Sequence, residues 1–175
     1  MVAQKATEKF LAKVQDRTAK VGIIGLGYVG LPLALLYSEE KFEVCGFDID
    51  TRKVDALSQG GSYIHRITPA EIQTAQKSGF HATADYKRLS EMNAVIICVP
   101  TPLNEYREPD MSYIVGTAEA IAPNLVAGQL VILESTTYPG TTEEVLLPIL
   151  EKGNQHGLKA AREGDTGTVR RKIEP

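Results

Sequence analysis

The chain has 175 residues, 43% of them hydrophobic, and a formal net charge of −3 at pH 7. That length suits one domain with a small appendage, and the apolar content builds an ordinary core and excludes a disordered chain. The small charge gives no electrostatic basis for binding nucleic acid or an anionic membrane, and two cysteines, Cys45 and Cys98, define no disulfide framework, which fits a cytoplasmic protein.

The opening MVAQKATEKFLAK mixes charge throughout and lacks the apolar centre of a signal peptide. Ala6 to Ala19 read as an amphipathic helix with Phe10, Leu11 and Val14 on one face, so residues 1–19 form a lead-in. Val21 to Tyr37 carry no charge. A membrane span is the alternative there, but the run is short for about 20 spanning residues and glycines and a proline interrupt it. It reads as a buried strand from Lys20 to Gly25, a tight turn, and a helix from Val29 to Glu40.

A strand from Glu43 to Asp48 follows, then a helix from Thr51 to Ser58 with Thr51 as its cap, broken by Gly60 and Gly61. Thr68 to Ser78 is helical with Pro69 in its first turn. Phe80 to Thr83 is a weak strand, Asp85 to Glu91 a short helix, and Ala94 to Val99 the clearest buried strand. A loop with three prolines spans Pro100 to Asp110, and Ser112 caps a helix running to Leu125. Gln129 to Glu134 is a strand and Thr141 to Lys152 a helix. Strands alternating with helices imply a parallel sheet covered on both faces, a doubly wound α/β domain over residues 20–153. After Gly153 the rhythm stops. The sixth strand of the complete dinucleotide-binding (Rossmann) sheet is not visible, and residues 154–175 are expected to be a disordered tail.

Within VGIIGLGYVG, Gly25, Gly27 and Gly30 have the spacing G-x-G-x-x-G. Alone this is a weak signal. Here it follows a strand, opens a helix, and has Asp48 at the end of the next strand, 18 residues beyond Gly30. Gly25 permits the turn, Gly27 lets the backbone approach a pyrophosphate, and Gly30 lets helix and strand pack closely. The free N–H groups of the turn, around Tyr28 and Val29, then face the ligand's phosphates at the positive end of the helix. Asp48 accepts from the adenosine ribose hydroxyls and repels a 2′-phosphate, so the cofactor is NAD. Lys53 reaches the ribose or a phosphate on one reading and is a solvated surface lysine on the other. Arg52 is the residue that weakens the preference for NAD, because an arginine near this position can hold a 2′-phosphate.

Four segments go beyond a generic dinucleotide fold: GLGYVGLPLA with FDID and a following lysine, the linker GGSYI, CVPTPLNEYREPD, and ESTTYPGTTEEVL. Together they resemble the UDP-glucose/GDP-mannose dehydrogenase family over roughly Lys20 to Leu150, and look most like its UDP-N-acetyl-sugar 6-dehydrogenases. That resemblance implies oxidation of the C6 alcohol of a nucleotide sugar to a carboxylate, with two NAD molecules and an enzyme-bound thioester. It also places Thr101 of VPTP and Thr136 of ESTT, with Pro100 and Ser135 beside them, near the nicotinamide half of the cofactor. The other reading of those threonines is as turn formers beside proline. Arg107, Glu108 and Asp110 lie on the loop between and carry no assigned role.

The family's later motifs, a Ser-Pro-Glu strand end and the catalytic cysteine with its lysine and asparagine, have no counterpart in this sequence, so no catalytic residue is assigned. Cys45 and Cys98 fall in apolar strand runs and are read as inert. His65, His81 and His156 form no motif and are read as loop or surface residues, and no metal site is expected. The expectation is therefore an NAD-binding fragment that is inactive alone, its charged tail from about Ala160 arising by frameshift or truncation. The UDP-sugar would be a partner of the full-length parent only. The alternative is a non-catalytic NAD-binding module that pairs with itself or with a complementing subunit.

Overall fold

The computed structural model describes residues 2–160 apart from 104, 106 and 108, and only the backbone of residues 2–6. Five parallel strands make one sheet in the order β3-β2-β1-β4-β5: β1 Lys20–Ile24, β2 Glu43–Phe47, β3 His81–Thr83, β4 Ala94–Ile97 and β5 Leu130–Leu133. The order reverses between β1 and β4, the switch point at which open α/β sheets bind ligands. The apolar runs seen in the sequence are these strands: β4 is buried at all four positions and β1 at four of five.

Helices cover both faces. Leu31, Ala34 and Leu35 of α2 (Gly30–Glu39) and Ile72 and Ala75 of α4 (Pro69–Lys77) bury against Val21, Ile23 and Val44 in one core. Leu57 of α3 (Thr51–Ser58) joins them. The second core joins Ile24, Phe47, Val95 and Ile97 to Ile114, Ala118 and Ile121 of α5 (Ser112–Ile121) and to Leu150 of α6 (Leu147–Gly153). The first helix, α1 (Val2–Gln15), leads into β1, and Arg17 just beyond it lies over the Phe42 ring and pairs with Glu40. The run Val21–Tyr37 thus resolves into strand, turn and helix, and no helix among the described residues is long and apolar enough to cross a membrane.

Three local readings change. Asp50, not Thr51, caps α3: its carboxylate accepts from Arg52 N–H, with Thr51 already helical. Ser112 is likewise inside α5, and the Asp110 carboxylate two residues earlier accepts its N–H. In both cases an aspartate one or two residues upstream competes successfully for the free N–H groups of the first turn. The last helix does not start as a plain α-helix. Thr142–Leu146 is a π-turn that passes into α6, and Pro148, which has no N–H to donate one turn back, sits at the junction.

Residues 154–160 fold back on the domain. Asn154 Nδ2 donates to the carbonyls of Leu150, Glu151 and Leu158, its Oδ1 accepts from Leu158 N–H, and Leu158 packs on the second core. The rest of the expected tail, residues 161–175, lies outside the described residues.

Candidate functional site

The strand register assembles the site. Ile24 pairs with Phe47 and Ile97, and Ile97 pairs with Leu133, so three strands end level with β1. The next residues, Gly25, Asp48, Cys98 and Glu134, emerge side by side at the carboxyl edge of the sheet. They line a cleft of about 1020 Å³ together with Gly27, Tyr28, Val29, Lys53, Pro100, Thr101, Ser135 and Thr136. Of the sequence-assigned positions, only Gly30 is not in its lining; it packs beneath. A smaller cavity of about 130 Å³ beside β5 and α6 contains none of these residues.

The three glycines have different physical reasons. Gly25 has φ +89°, and a Cβ there would lie 2.8 Å from the Cys98 carbonyl. A Cβ on Gly30 would lie 1.9 Å from the Gly25 carbonyl, so no side chain fits. A Cβ on Gly27 would meet no protein atom within 4 Å. Nothing in the fold demands glycine at Gly27, and the space in front of it opens on the cleft. No side chain caps α2, whose cap position is Val29; Leu31 and Leu33 N–H bond to the Gly27 and Val29 carbonyls and Pro32 has no N–H, so the N–H groups ahead of Leu31, in the fingerprint turn, are the ones that face an external acceptor.

Asp48 is 5% exposed. Its Oδ2 accepts from Leu26 N–H (2.9 Å) and Lys53 Nζ (3.0 Å), and its Oδ1 from Asp50 N–H (2.9 Å). The carboxylate is therefore fixed on the turn, with lone-pair capacity left on Oδ1 for a ribose hydroxyl. Lys53, which the sequence left between two roles, is held on Asp48. Arg52 is engaged too: its Nε and Nη2 donate to the two Asp50 oxygens at 2.9 Å, and this hydrogen-bonded guanidinium holds the Asp50 carboxyl below its usual range.

On the other side, the loops after β4 and β5 are tied together. Thr101 Oγ1 donates to the Thr136 carbonyl (2.6 Å) and Ser135 Oγ to the Val99 carbonyl (2.7 Å). These hydroxyls brace the cleft wall. Cys98 follows β4 rather than lying within it and lines the cleft, unlike the strand-interior position read from the sequence. It is still 8% exposed, and burial, with Glu134 nearby, pushes its thiol up to about 11. Arg107 takes a left-handed φ of 61° on the loop after β4, and residue 108 lies outside the described residues.

Sequence reasoning missed three aromatic residues. Tyr63, from the linker GGSYI, lines the cleft and donates its hydroxyl to the Leu26 carbonyl in the fingerprint turn. Tyr86, on a 3₁₀ turn (Tyr86–Glu91), lines the cleft with its ring 5.8 Å from that of Phe47; burial, then Asp48, pushes its phenol up to about 12. Tyr113, on α5, is an exposed residue of the rim. Only GGSYI carried a signal in the sequence. Among the described residues no group of three His, Cys, Asp or Glu could hold a metal ion.

A glycine turn with open space at Gly27, an uncapped helix and a buried carboxylate fit a dinucleotide, and comparison with known proteins gives the family. The model of the UDP-glucose/GDP-mannose dehydrogenase family, NAD binding domain, matches residues 19–166. The chain belongs to this family. It is the NAD-binding domain of a nucleotide-sugar dehydrogenase, and its cofactor is NAD. It is 38% identical over 156 residues to the UDP-N-acetyl-D-glucosamine 6-dehydrogenase of Pseudomonas aeruginosa, covering 89% of this chain and 36% of that protein. With the UDP-N-acetyl-D-mannosamine dehydrogenase of Escherichia coli K12 it shares 40% over 130 residues, 73% of this chain and 30% of that protein. The crystal structure of the NDP-N-acetyl-D-galactosaminuronic acid dehydrogenase of Methanosarcina mazei superposes with TM-score 0.77 at 32% identity, covering 95% of this chain and 37% of that one. The GDP-mannose dehydrogenase ternary complex of Pseudomonas aeruginosa gives 0.74 at 32%, covering 80% and 33%. The chain thus spans about a third of the length of the relatives it matches.

Proposed function

We propose that the cleft holds NAD with its pyrophosphate against Gly25, Gly27, Tyr28 and Val29, above Gly30, and its adenosine ribose on Asp48 and Lys53. The nicotinamide half lies beside Pro100, Thr101, Ser135 and Thr136. When bound, NAD supplies the hydride acceptor for the C6 carbon of a UDP-sugar, and the homology favours a UDP-N-acetyl sugar. The unforced glycine at Gly27, facing the cleft across from a buried Asp48, is the observation that carries this reading. On it, residues 20–153 are the cofactor domain, residues 1–19 a lead-in, and the protein works in the cytoplasm.

The chain's own residues bind and orient. Asp48 is fixed by Leu26 and Asp50 N–H groups before any ligand arrives, so little ordering is needed on binding. The Thr101–Thr136 and Ser135–Val99 bonds hold the far wall at a set width. Among the described residues lining the cleft, the cation is Lys53, and it is paired with Asp48, which leaves no cationic side chain for the phosphates of a UDP-sugar. On this reading the 175-residue chain binds NAD and does not turn over by itself. The sugar is a partner of a longer parent, or of a second subunit or copy that completes the site.

Isothermal titration with NAD and NADP tests the cofactor reading. NAD binds more tightly than NADP, and Asp48→Ala weakens NAD by about 1–3 kcal/mol, the range for a lost hydrogen bond to a charged group. Equal affinity for the two cofactors would remove the ribose assignment.

A further inference from the structure

Tyr63 belongs to neither the glycine fingerprint nor the strand ends, yet it touches both halves of the ribose and pyrophosphate machinery. It reaches back over 37 residues to donate its hydroxyl to the Leu26 carbonyl. The N–H of the same Leu26 is held by Asp48 Oδ2. Leu26 is thus pinned at both polar atoms, between Gly25 and Gly27. Because a peptide is planar and trans, fixing the Leu26 carbonyl also fixes the opposed N–H of Gly27. The Tyr63 ring, meanwhile, lies under the Lys53 ammonium, 5.9 Å from ring centroid to Nζ, at the outer limit of a cation–π contact. That ammonium is the one 3.0 Å from Asp48 Oδ2. Burial, followed by Asp48 and Asp50, raises the phenol above its ordinary range, so it stays a neutral donor throughout the physiological range.

We propose that Tyr63 is a positioning residue with two separable roles: its hydroxyl holds the glycine turn in its pyrophosphate-binding shape, and its ring keeps Lys53 on Asp48, away from a 2′-phosphate. The proposal rests on the NAD reading of the cleft. Its physical content is a competition for Lys53. A 2′-phosphate carries more charge than one carboxylate and would draw the ammonium off Asp48; the ring contact favours the Asp48 position. The hydroxyl acts on a backbone that every dinucleotide meets, whereas the ring acts on the atom that distinguishes NAD from NADP.

The test compares wild type, Tyr63→Phe and Tyr63→Leu by titration with NAD and NADP, with thermal melts alongside. Tyr63→Phe keeps the ring and loses the donor. It weakens both cofactors equally, by about three- to tenfold, with the NADP-to-NAD ratio of dissociation constants unchanged. Tyr63→Leu loses both features and in addition lowers that ratio by about two- to fivefold. Tyr63→Met, which fills similar space without a ring, replaces Tyr63→Leu if the latter melts below the assay temperature. Wild-type affinity in Tyr63→Phe overturns the hydroxyl's role, and an unchanged ratio in the ringless variant overturns the ring's. A lowered melting temperature with an unchanged ratio in the ringless variant leaves Tyr63 as mere packing and likewise overturns the proposal. A wild type that binds neither cofactor instead overturns the NAD reading itself.

Discussion

Gly27 and Gly30 are three residues apart in one turn and are glycine for opposite reasons, which makes them a matched pair for experiment. A side chain at Gly30 collides with the Gly25 carbonyl; one at Gly27 collides with nothing in the protein. Gly27→Val therefore leaves the melting temperature of the free chain near that of wild type and abolishes NAD binding, because the branched side chain occupies the pyrophosphate's space. Gly30→Ala lowers stability by about 1–3 kcal/mol or more, as overpacking does, before any cofactor is added. Circular dichroism melts and NAD titration on both variants separate the two effects. Normal NAD binding by Gly27→Val would reduce that glycine to a turn residue. The fingerprint itself was legible because it is local: spacing, preceding strand and following helix all lie within the stretch from Lys20 to Glu39. Tyr63 and Tyr86 were not, because their contacts with the turn and with Phe47 exist only once the sheet has formed.

Four of the five strands could be read from short apolar runs, since a strand buried on both faces leaves an apolar word in the sequence. The fifth, β3, read only as a weak strand, because its three residues, His81–Thr83, are half-buried and leave no such run. Two helix caps were misread by one or two residues. Ser and Thr were chosen as caps where an aspartate just upstream has the backbone geometry to accept, as at Asp50 with ψ of 98°. The shortest strand, β3, carries a consequence for acid stability. His81 sits half-buried on it, opposite Cys45, and its Nε2 is buried without a partner. Burial lowers its pKa first, then Arg88; a backbone hydrogen bond with Gly79 and the nearby Glu43 and Glu91 oppose this only partly. The folded chain thus binds the proton less readily than the unfolded one, whose histidine has the ordinary value of 6.5. The stability this contributes is fully present above that value and is lost as pH falls through the folded pKa. Melting temperature should fall as pH drops below about 6.5, before the carboxylates begin to protonate, and His81→Gln should flatten that part of the profile. A wild-type slope retained in His81→Gln would place the effect elsewhere.

For the molecule as a whole, the prediction is binding without turnover. NAD raises the melting temperature of the 175-residue chain by linkage, since it binds the folded state alone. No sustained NADH forms with UDP-glucose, UDP-N-acetylglucosamine or UDP-N-acetylmannosamine. Hydride transfer requires the sugar to be held in near-attack geometry, which supplies up to roughly 7–11 kcal/mol of the barrier reduction. The described cleft has strand-end groups suited to a dinucleotide, but its cation is already spent on Asp48. Oxidation to the carboxylate through a thioester further requires a thiolate at the aldehyde. Cys45 is 1% exposed and its thiol is pushed up to about 12 by burial, while the Cys98 thiol stands at about 11. Burial, with Glu134 nearby, thus keeps Cys98 a neutral thiol near neutral pH, far from the activated state of a catalytic cysteine. Absorbance at 340 nm with each sugar, alone and after adding a longer relative inactivated at its catalytic cysteine, gives the reading. Sustained substrate-dependent turnover by the chain alone overturns the view that it binds without reacting. In that event Cys98→Ala becomes the decisive variant, because Cys98 alone of the two thiols lines the cleft.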